Sequence, residues 1–206
     1  MNGPKQQIIS TRTLEASVCV YCASSRSAPA AYREAAGKLG AVLAEHNLGI
    51  IYGGGAVGSM GALADGALSR GGRVVGILPR FMAELEWGHP GLSELQVVED
   101  MRSRKHLMLT HSVAVVALPG GSGTLEELLE ALTLKRLGLY LNPIVLVNTR
   151  GFFNSLDALM NHCIEEQFMD ARHRQMWQLV EEPEQVPAAI KSAPSWSADA
   201  RRFAAV

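Results

Sequence analysis

Leu118-Pro119-Gly120-Gly121-Ser122-Gly123-Thr124-Leu125-Glu126-Glu127 follows a short apolar run, Val113 to Ala117, and precedes helical spacing at Leu125, Leu128, Leu129, Leu132 and Leu134. A glycine-rich turn between a strand and a helix presents backbone N–H groups that lack intrahelical partners. The helix dipole adds roughly half a positive charge there, so the turn is an anion seat. The glycines let a phosphate approach the backbone closely. Glu127 is out of place in that picture, because a carboxylate one turn into an anion-binding helix repels phosphate. It must face another part of a ligand, or else close a capping box with Thr124, which fits the S/T-x-x-E spacing.

A second glycine turn weighs against the capping reading. Leu48 to Tyr52 has the character of a buried strand and runs into Gly53-Gly54-Gly55-Ala56-Val57-Gly58-Ser59-Met60-Gly61. Gly53, Gly55 and Gly58 satisfy G-x-G-x-x-G, the dinucleotide fingerprint. The fingerprint falls on the second strand rather than the first, and the next strand, Arg73 to Leu78, ends in Pro79-Arg80 without the acid that binds a ribose. Arg80 leaves a 2′-phosphate, and so NADP, as an alternative. Neither turn ends in Gly-Lys-Ser/Thr, which disfavours a Walker-type NTPase. A third group of functional types, Asp100-Met101-Arg102-Ser103-Arg104-Lys105-His106, places three cations at a helix start, where the dipole disfavours them unless an anion is near.

Positioning these segments requires a regular frame. Strand character recurs at Ser17–Cys22, Leu48–Tyr52, Arg73–Leu78, Leu95–Val98, Val113–Leu118 and Pro143–Asn148. Helical patterns fill Ala30–His46, Ser59–Arg70, Ser103–His111, Thr124–Leu137, Phe152–Gln167 and Pro183–Lys191. Such alternation implies an α/β fold, a doubly wound parallel sheet with helices on both faces. Ligands of these sheets bind at the carboxyl ends of the strands, where both glycine turns and Cys22-Ala23-Ser24-Ser25 emerge. The organisation expected is a flexible N-terminus over 1–16, one nucleotide-binding domain over 17–191 and a frayed tail over 192–206.

With 206 residues the chain suits one domain, and its net charge of −1 carries no footprint for nucleic acid or an acidic membrane. Met1–Glu15 lacks the apolar core of a signal peptide, and no apolar run reaches transmembrane length, so a cytoplasmic location is expected. The three cysteines make no disulfide framework. Cys19 and Cys22, three apart on a strand, face opposite sides, which disfavours a redox pair or a zinc site. His106 and His111 read as surface or helix-end residues. Met176 and Trp177 fit either a subunit contact or the core.

Pro119-Gly120-Gly121-Ser122-Gly123-Thr124-Leu125-Glu126-Glu127 matches P-G-G-x-G-T-x-x-E. Asp100, Met101, Arg104, Lys105 and Met108 match D-M-x-x-R-K-x-x-M, and Tyr52-Gly53-Gly54-Gly55 through Met60-Gly61 matches Y-G-G-G-x-x-G-x-M-G. From about Val18 to Phe168 the chain resembles the LONELY GUY (LOG) family of cytokinin riboside 5′-monophosphate phosphoribohydrolases, long mislabelled as lysine decarboxylases. The resemblance implies a Rossmann-like fold, a homodimer, and no metal or redox cofactor. It implies hydrolysis of the N-glycosidic bond of a purine nucleoside 5′-monophosphate to free base and ribose 5-phosphate. It makes Arg104 and Glu127 the catalytic pair. Gly120, Gly121, Ser122, Gly123 and Thr124 become the phosphate site, joined by Gly53, Gly54, Gly55 and Gly58. Ser25, Met101 and Lys105 become further ligand contacts, and Glu86 a peripheral acid. A nucleotide or molybdenum-cofactor carrier on the same fold is the alternative, and a pyridoxal-phosphate lysine decarboxylase a further one.

Two departures stand out. Val113 occupies a position where related sequences carry Asp. Leu134 to Pro143 replaces W-x-Q-L-G-x-H-x-K-P, with Leu134, Arg136 and Tyr140 in place of Trp, Gln and His. That segment borders the base and the dimer partner in the family, so the identity of the base is where this chain is expected to differ.

Overall fold

The structure, a computed structural model, describes residues 16–85 and 87–204. The expected flexible segment up to Glu15, and Glu86, lie outside the described residues. Seven strands form one parallel sheet: β1 (Ser17–Tyr21), β2 (Gly49–Tyr52), β3 (Val74–Pro79), β4 (Glu94–Val98), β5 (Ala114–Ala117), β6 (Ile144–Val147) and β7 (Gln178–Val180), in the order β4-β3-β2-β1-β5-β6-β7. The helices are α1 (Ala30–Glu45), α2 (Gly58–Leu68), α3 (Arg80–Glu84), α4 (Met101–Thr110), α5 (Ser122–Arg136), α6 (Asn154–Glu165) and α7 (Val186–Ser192).

Residue burial follows from this topology. Every residue of β1, β2, β5 and β6 is buried, as expected of strands covered on both faces. The edge strand β4 alternates between half-buried and exposed residues. Successive side chains of β1 enter different cores. Val18, Val20 and Cys22 meet α1, α2 and α7, whereas Cys19 and Tyr21 meet α4, α5 and α6. Cys19 and Cys22 are therefore separated by the sheet, as their spacing implied.

The chain builds outward from β1 to β4, then returns to β1's other side with β5, in register Val18↔Ala114 to Tyr21↔Ala117. This reversal is the switch point of the sheet. The loops after β1 and β5 diverge there and open a crevice at the strands' carboxyl ends.

Three differences from the sequence pattern have physical causes. The short α3 and the three-residue β7 are too brief to carry a period. The helix expected over 183–191 starts with a single 3₁₀ turn, Pro183–Gln185, and becomes α-helical at Val186. The tail expected to fray from 192 instead folds back as far as it is described. Trp196 Nε1 donates to the Lys135 carbonyl at 2.7 Å, Phe203 meets Trp196 edge-on and lies tilted over His173, and Ala200 is buried. Met176 and Trp177 belong to the core, where the Trp177 indole donates to Asp157 Oδ1 at 2.7 Å.

Candidate active site at the sheet switch point

Leu118 extends β5 by donating its N–H to the Tyr21 carbonyl at 2.9 Å, and the chain then turns through Pro119, Gly120 and Gly121. α5 begins at Ser122, two residues earlier than the pattern suggested, with Gly121 as its N-cap. Thr124 is thus the third helical residue rather than a cap. A Cβ on Gly120 would lie 2.2 Å from Thr124 Oγ1, so glycine is what lets the threonine close over the turn. A Cβ on Gly121 or Gly123 would meet nothing within 4 Å. Protein packing does not require glycine at those two positions, and both border open space beside the first-turn N–H groups of α5.

The early helix start also settles the alternative for Glu127. It lies well past the first turn, points toward the sheet and is only 6 % exposed. Its Oε1 is 3.3 Å from Arg104 Nη1, a cation that is itself 5 % exposed. The capping reading fails and the paired reading stands on geometry. Burial raises the Glu127 carboxyl above its ordinary range, and the Arg104 guanidinium partly offsets that rise.

α4 supplies Arg104. Its N-cap Asp100 accepts a hydrogen bond from the Ser103 N–H at 2.7 Å. Arg104 then reaches across the crevice floor. Nε donates to the Ile77 carbonyl at 3.1 Å, Nη2 to the Gly53 carbonyl at 3.3 Å, and Nη1 lies 3.8 Å from Met101 Sδ. One guanidinium therefore ties together β3, the turn after β2, and α5.

Two of the three cations at the start of α4, Arg104 and Lys105, have their counter-charges on α5. Lys105 pairs with Glu126, and with Glu130 at 2.8 Å, and these carboxylates raise its pKa. It joins α4 to α5 instead of reaching toward the glycine turn. Beside this ion pair a groove of about 420 Å³ runs between the helices, walled by Tyr21, Ser103, Leu109, Ala131 and Leu134. His106 and His111 are exposed, and His111 caps the end of α4.

The turn after β2 is occupied differently from the expectation. The Tyr52 hydroxyl donates to the Gly55 carbonyl at 3.0 Å. Gly54 accepts from the His89 N–H at 2.9 Å, and the Ala56 N–H donates to Trp87 at 3.1 Å, so a strap over 87–89 pairs with the turn at Gly55↔Gly88. His89 Nε2 is 3.0 Å from Asp65 Oδ1 on α2. The spacing of the glycines gave no sign of this strap, because its contacts are distant in sequence. Gly58, at φ +64°, packs against the backbone of Ser24 and Ser25, where a Cβ would come within 2.6 Å. Ser25 is exposed at the crevice rim, its hydroxyl 3.3 Å from that of Ser27.

Tyr140, in the segment that departs from the family pattern, is buried under the sheet, its hydroxyl 3.4 Å from Ser112 Oγ. Arg80, the cation invoked for NADP, pairs with Glu99 at 2.5 Å on the surface. Among the described residues no cluster of three or more His, Cys, Asp or Glu side chains could hold a metal ion.

A parallel sheet with a glycine-lined helix N-terminus at its switch point, next to a buried Arg–Glu pair, defines a Rossmann-like protein with a candidate ligand site at that edge. A family model described as "Possible lysine decarboxylase" matches residues 60–190. The chain is 40 % identical over 158 residues to the cytokinin riboside 5′-monophosphate phosphoribohydrolase LOG1 of Arabidopsis thaliana, covering 76 % of this chain and 74 % of that one. It is 41 % identical over 177 residues to a cytokinin riboside 5′-monophosphate phosphoribohydrolase of Rhodococcoides fascians, covering 85 % and 89 %. This chain belongs to the LOG family. Among solved structures, the molybdenum cofactor carrier protein of Chlamydomonas reinhardtii superposes with a TM-score of 0.69 at 21 % identity, over 87 % of this chain and 98 % of that one. The molybdenum cofactor binding protein of Rippkaea orientalis gives 0.66 at 23 %, over 86 % and 96 %. At those identities the likeness is one of fold.

Proposed function

We propose that this enzyme hydrolyses the N-glycosidic bond of a purine nucleoside 5′-monophosphate, adenine or N6-substituted adenine, to free base and ribose 5-phosphate. The observation that carries this reading is the buried Arg104–Glu127 pair, set beside an open glycine turn at the switch point. The phosphate sits on the first-turn N–H groups of α5, against Gly121 and Gly123. The base lies toward the groove between α4 and α5, with Met101 and Ser25 at the rim.

As the C1′–N bond breaks, its electron pair leaves with the base and positive charge grows on C1′ and the ring oxygen. Glu127, as a carboxylate, stabilises that charge, and water then adds to C1′, its hydroxyl remaining on the sugar and its proton passing to the departing base. A neutral carboxyl would not serve. Arg104 therefore acts first on Glu127, holding it ionised despite its burial. Four of the five guanidinium donors are engaged by protein, and one remains for the ligand. The 5′-phosphate supplies binding energy remote from the reacting bond, so the monophosphate should far outpace the nucleoside.

Pyridoxal-phosphate chemistry does not fit these residues. A Schiff-base lysine must lose its proton, and Lys105, the lysine beside the site, is held protonated by two carboxylates. Lys135 has a depressed pKa but is sealed beneath Trp196. The carrier alternative leaves the Arg104–Glu127 pair without a task.

The protein acts as a cytoplasmic homodimer that uses no cofactor and binds neither nucleic acid nor membrane. Its free thiols suit a reducing compartment, and no helix among the described residues is long and apolar enough to cross a membrane. Exposed Leu129, Leu137, Leu139 and Leu141 at the end of α5 supply an apolar contact face. Leu139→Glu should shift the protein to monomer in sedimentation velocity, and an unchanged dimer would move the interface elsewhere.

The deciding assay incubates the protein with AMP, adenosine and N6-isopentenyl-AMP and follows released base by chromatography. Release from the monophosphates with little from adenosine is expected. Equal turnover of AMP and adenosine would overturn the phosphate's role, and no release from any of the three would favour the carrier.

A further inference from the structure

We infer that Gly53 is a positioning residue: the space left by its missing side chain is the seat of the Arg104 guanidinium. The inference rests on the catalytic reading of Arg104 and Glu127 and extends it to a residue that otherwise reads as a phosphate contact.

A Cβ built on Gly53 would lie 1.9 Å from Arg104 Nη2 and 3.1 Å from both Arg104 Cζ and Met60 Cε. The first distance is far inside any contact limit, so an added methyl must displace the guanidinium. Arg104 has no free direction in which to yield. Its Nε is bonded to Ile77, its Nη1 to Glu127, and the side chain is 5 % exposed. Gly53 is not among the positive-φ glycines, which are Gly54, Gly58, Gly71, Gly138 and Gly151. Backbone conformation therefore does not call for glycine at position 53, and space alone does. Nor does the turn resemble the phosphate seat. At Gly121 and Gly123 the added atom would enter open space, whereas at Gly53 it would strike the catalytic cation. The Gly53 carbonyl also accepts from Nη2, so the same residue supplies both the room and one anchor. The two glycine turns thus have separate duties: one receives the ligand and the other houses the arginine.

The test is a double-mutant cycle of Gly53→Ala and Arg104→Lys, since lysine retains the charge but lacks the group that would clash. Gly53→Ala alone should lower kcat on AMP on the order of a hundredfold, the usual cost of a misplacement near 1 Å, with KM changed less than about twofold. Its acid limb should move to higher pH, because a displaced Arg104 no longer offsets the burial of Glu127. The other charges facing Glu127, which are Lys105, Glu126 and Glu130, are untouched. In the Arg104→Lys background the same glycine change should cost less than about threefold more. A phosphate-seating Gly53 would instead raise KM equally in both backgrounds and leave the acid limb in place, and that result would overturn the inference.

Thermal unfolding of the four proteins gives a readout that survives failure of the nucleotide reading itself. Losses of Tm that do not add support the seat, and additive losses overturn it. If Gly53→Ala fails to fold while the double variant folds, the seat is likewise supported. If neither folds, the backbone rather than Arg104 demands glycine, and the inference falls.

Discussion

Two cations are buried on neighbouring helices, and the protein treats them in opposite ways. Arg104 on α4 faces a carboxylate at 3.3 Å and donates to two backbone carbonyls. Lys135 on α5 is 2 % exposed, yet its ammonium has only the Asn142 carbonyl at 2.7 Å and the face of Trp196, 5.9 Å from the ring centroid. Burial pushes the Lys135 pKa down from 10.5 to about 8. Arg104 sits where the sheet opens, and Lys135 sits where the tail closes over α5. A buried cation provided with a counter-ion and facing a crevice maintains a charge for use. A buried cation with one carbonyl and an indole plugs a core and gives up its proton readily.

The comparison breaks most sharply at Arg104. Arg104→Ala leaves Glu127 buried without its partner and should cost on the order of 3–5 kcal/mol in chemical denaturation. Adding Glu127→Gln should return most of that loss, because no buried charge then remains. A double variant as unstable as the single one would mean that Arg104 acts through packing.

Glu127→Gln alone comes next. It should lower kcat on the monophosphate on the order of 10² to 10³ while leaving the fold intact by circular dichroism, whereas Lys135→Met should leave kcat unchanged. The acid limb of wild-type kcat reports the same carboxylate. Glu127 must be ionised, its pKa lies above the ordinary 4.5, and activity should therefore fade as pH drops through a value higher than that of a free carboxyl. A limb at or below the ordinary value would show that Arg104 outweighs burial.

The smallest effect belongs to Lys135. Between about pH 8 and pH 10.5 the unfolded chain holds this proton and the folded chain does not, so stability rises with pH across that window. Lys135→Met should remove a rise that is at most on the order of 3 kcal/mol, read as the difference between the two proteins' denaturation curves from pH 7.5 to 10.5. Parallel curves would place the proton loss elsewhere.

The alternation of strand and helix was readable because each buried strand is apolar throughout and each helix carries one apolar stripe. The site segments were readable because their residue types are costly anywhere else: glycines in series at a strand end, three cations at a helix start, and a glutamate one turn into a helix that could seat an anion. The 87–89 strap, the packing of Trp196 and Phe203, and the burial of Tyr140 were not readable. Each depends on partners far along the chain, such as Gly55 for the strap and Lys135 and His173 for the tail. The start of α5 shows how small a shift matters. Two residues separate a capping Thr124 from a helical one, and with it a surface Glu127 from a buried one.

Local periodicity and residue chemistry were sufficient to specify a doubly wound parallel sheet and to mark the glycine turns, and the match to family motifs singled out Arg104 and Glu127, because these are properties of neighbours in the chain. That the two side chains meet, that Gly53 adjoins the guanidinium and that Lys105 is spent on α5 follow from how α4 and α5 cross the end of the sheet. Burial and pairing energies arise between elements brought together by packing, and no window of sequence contains both partners.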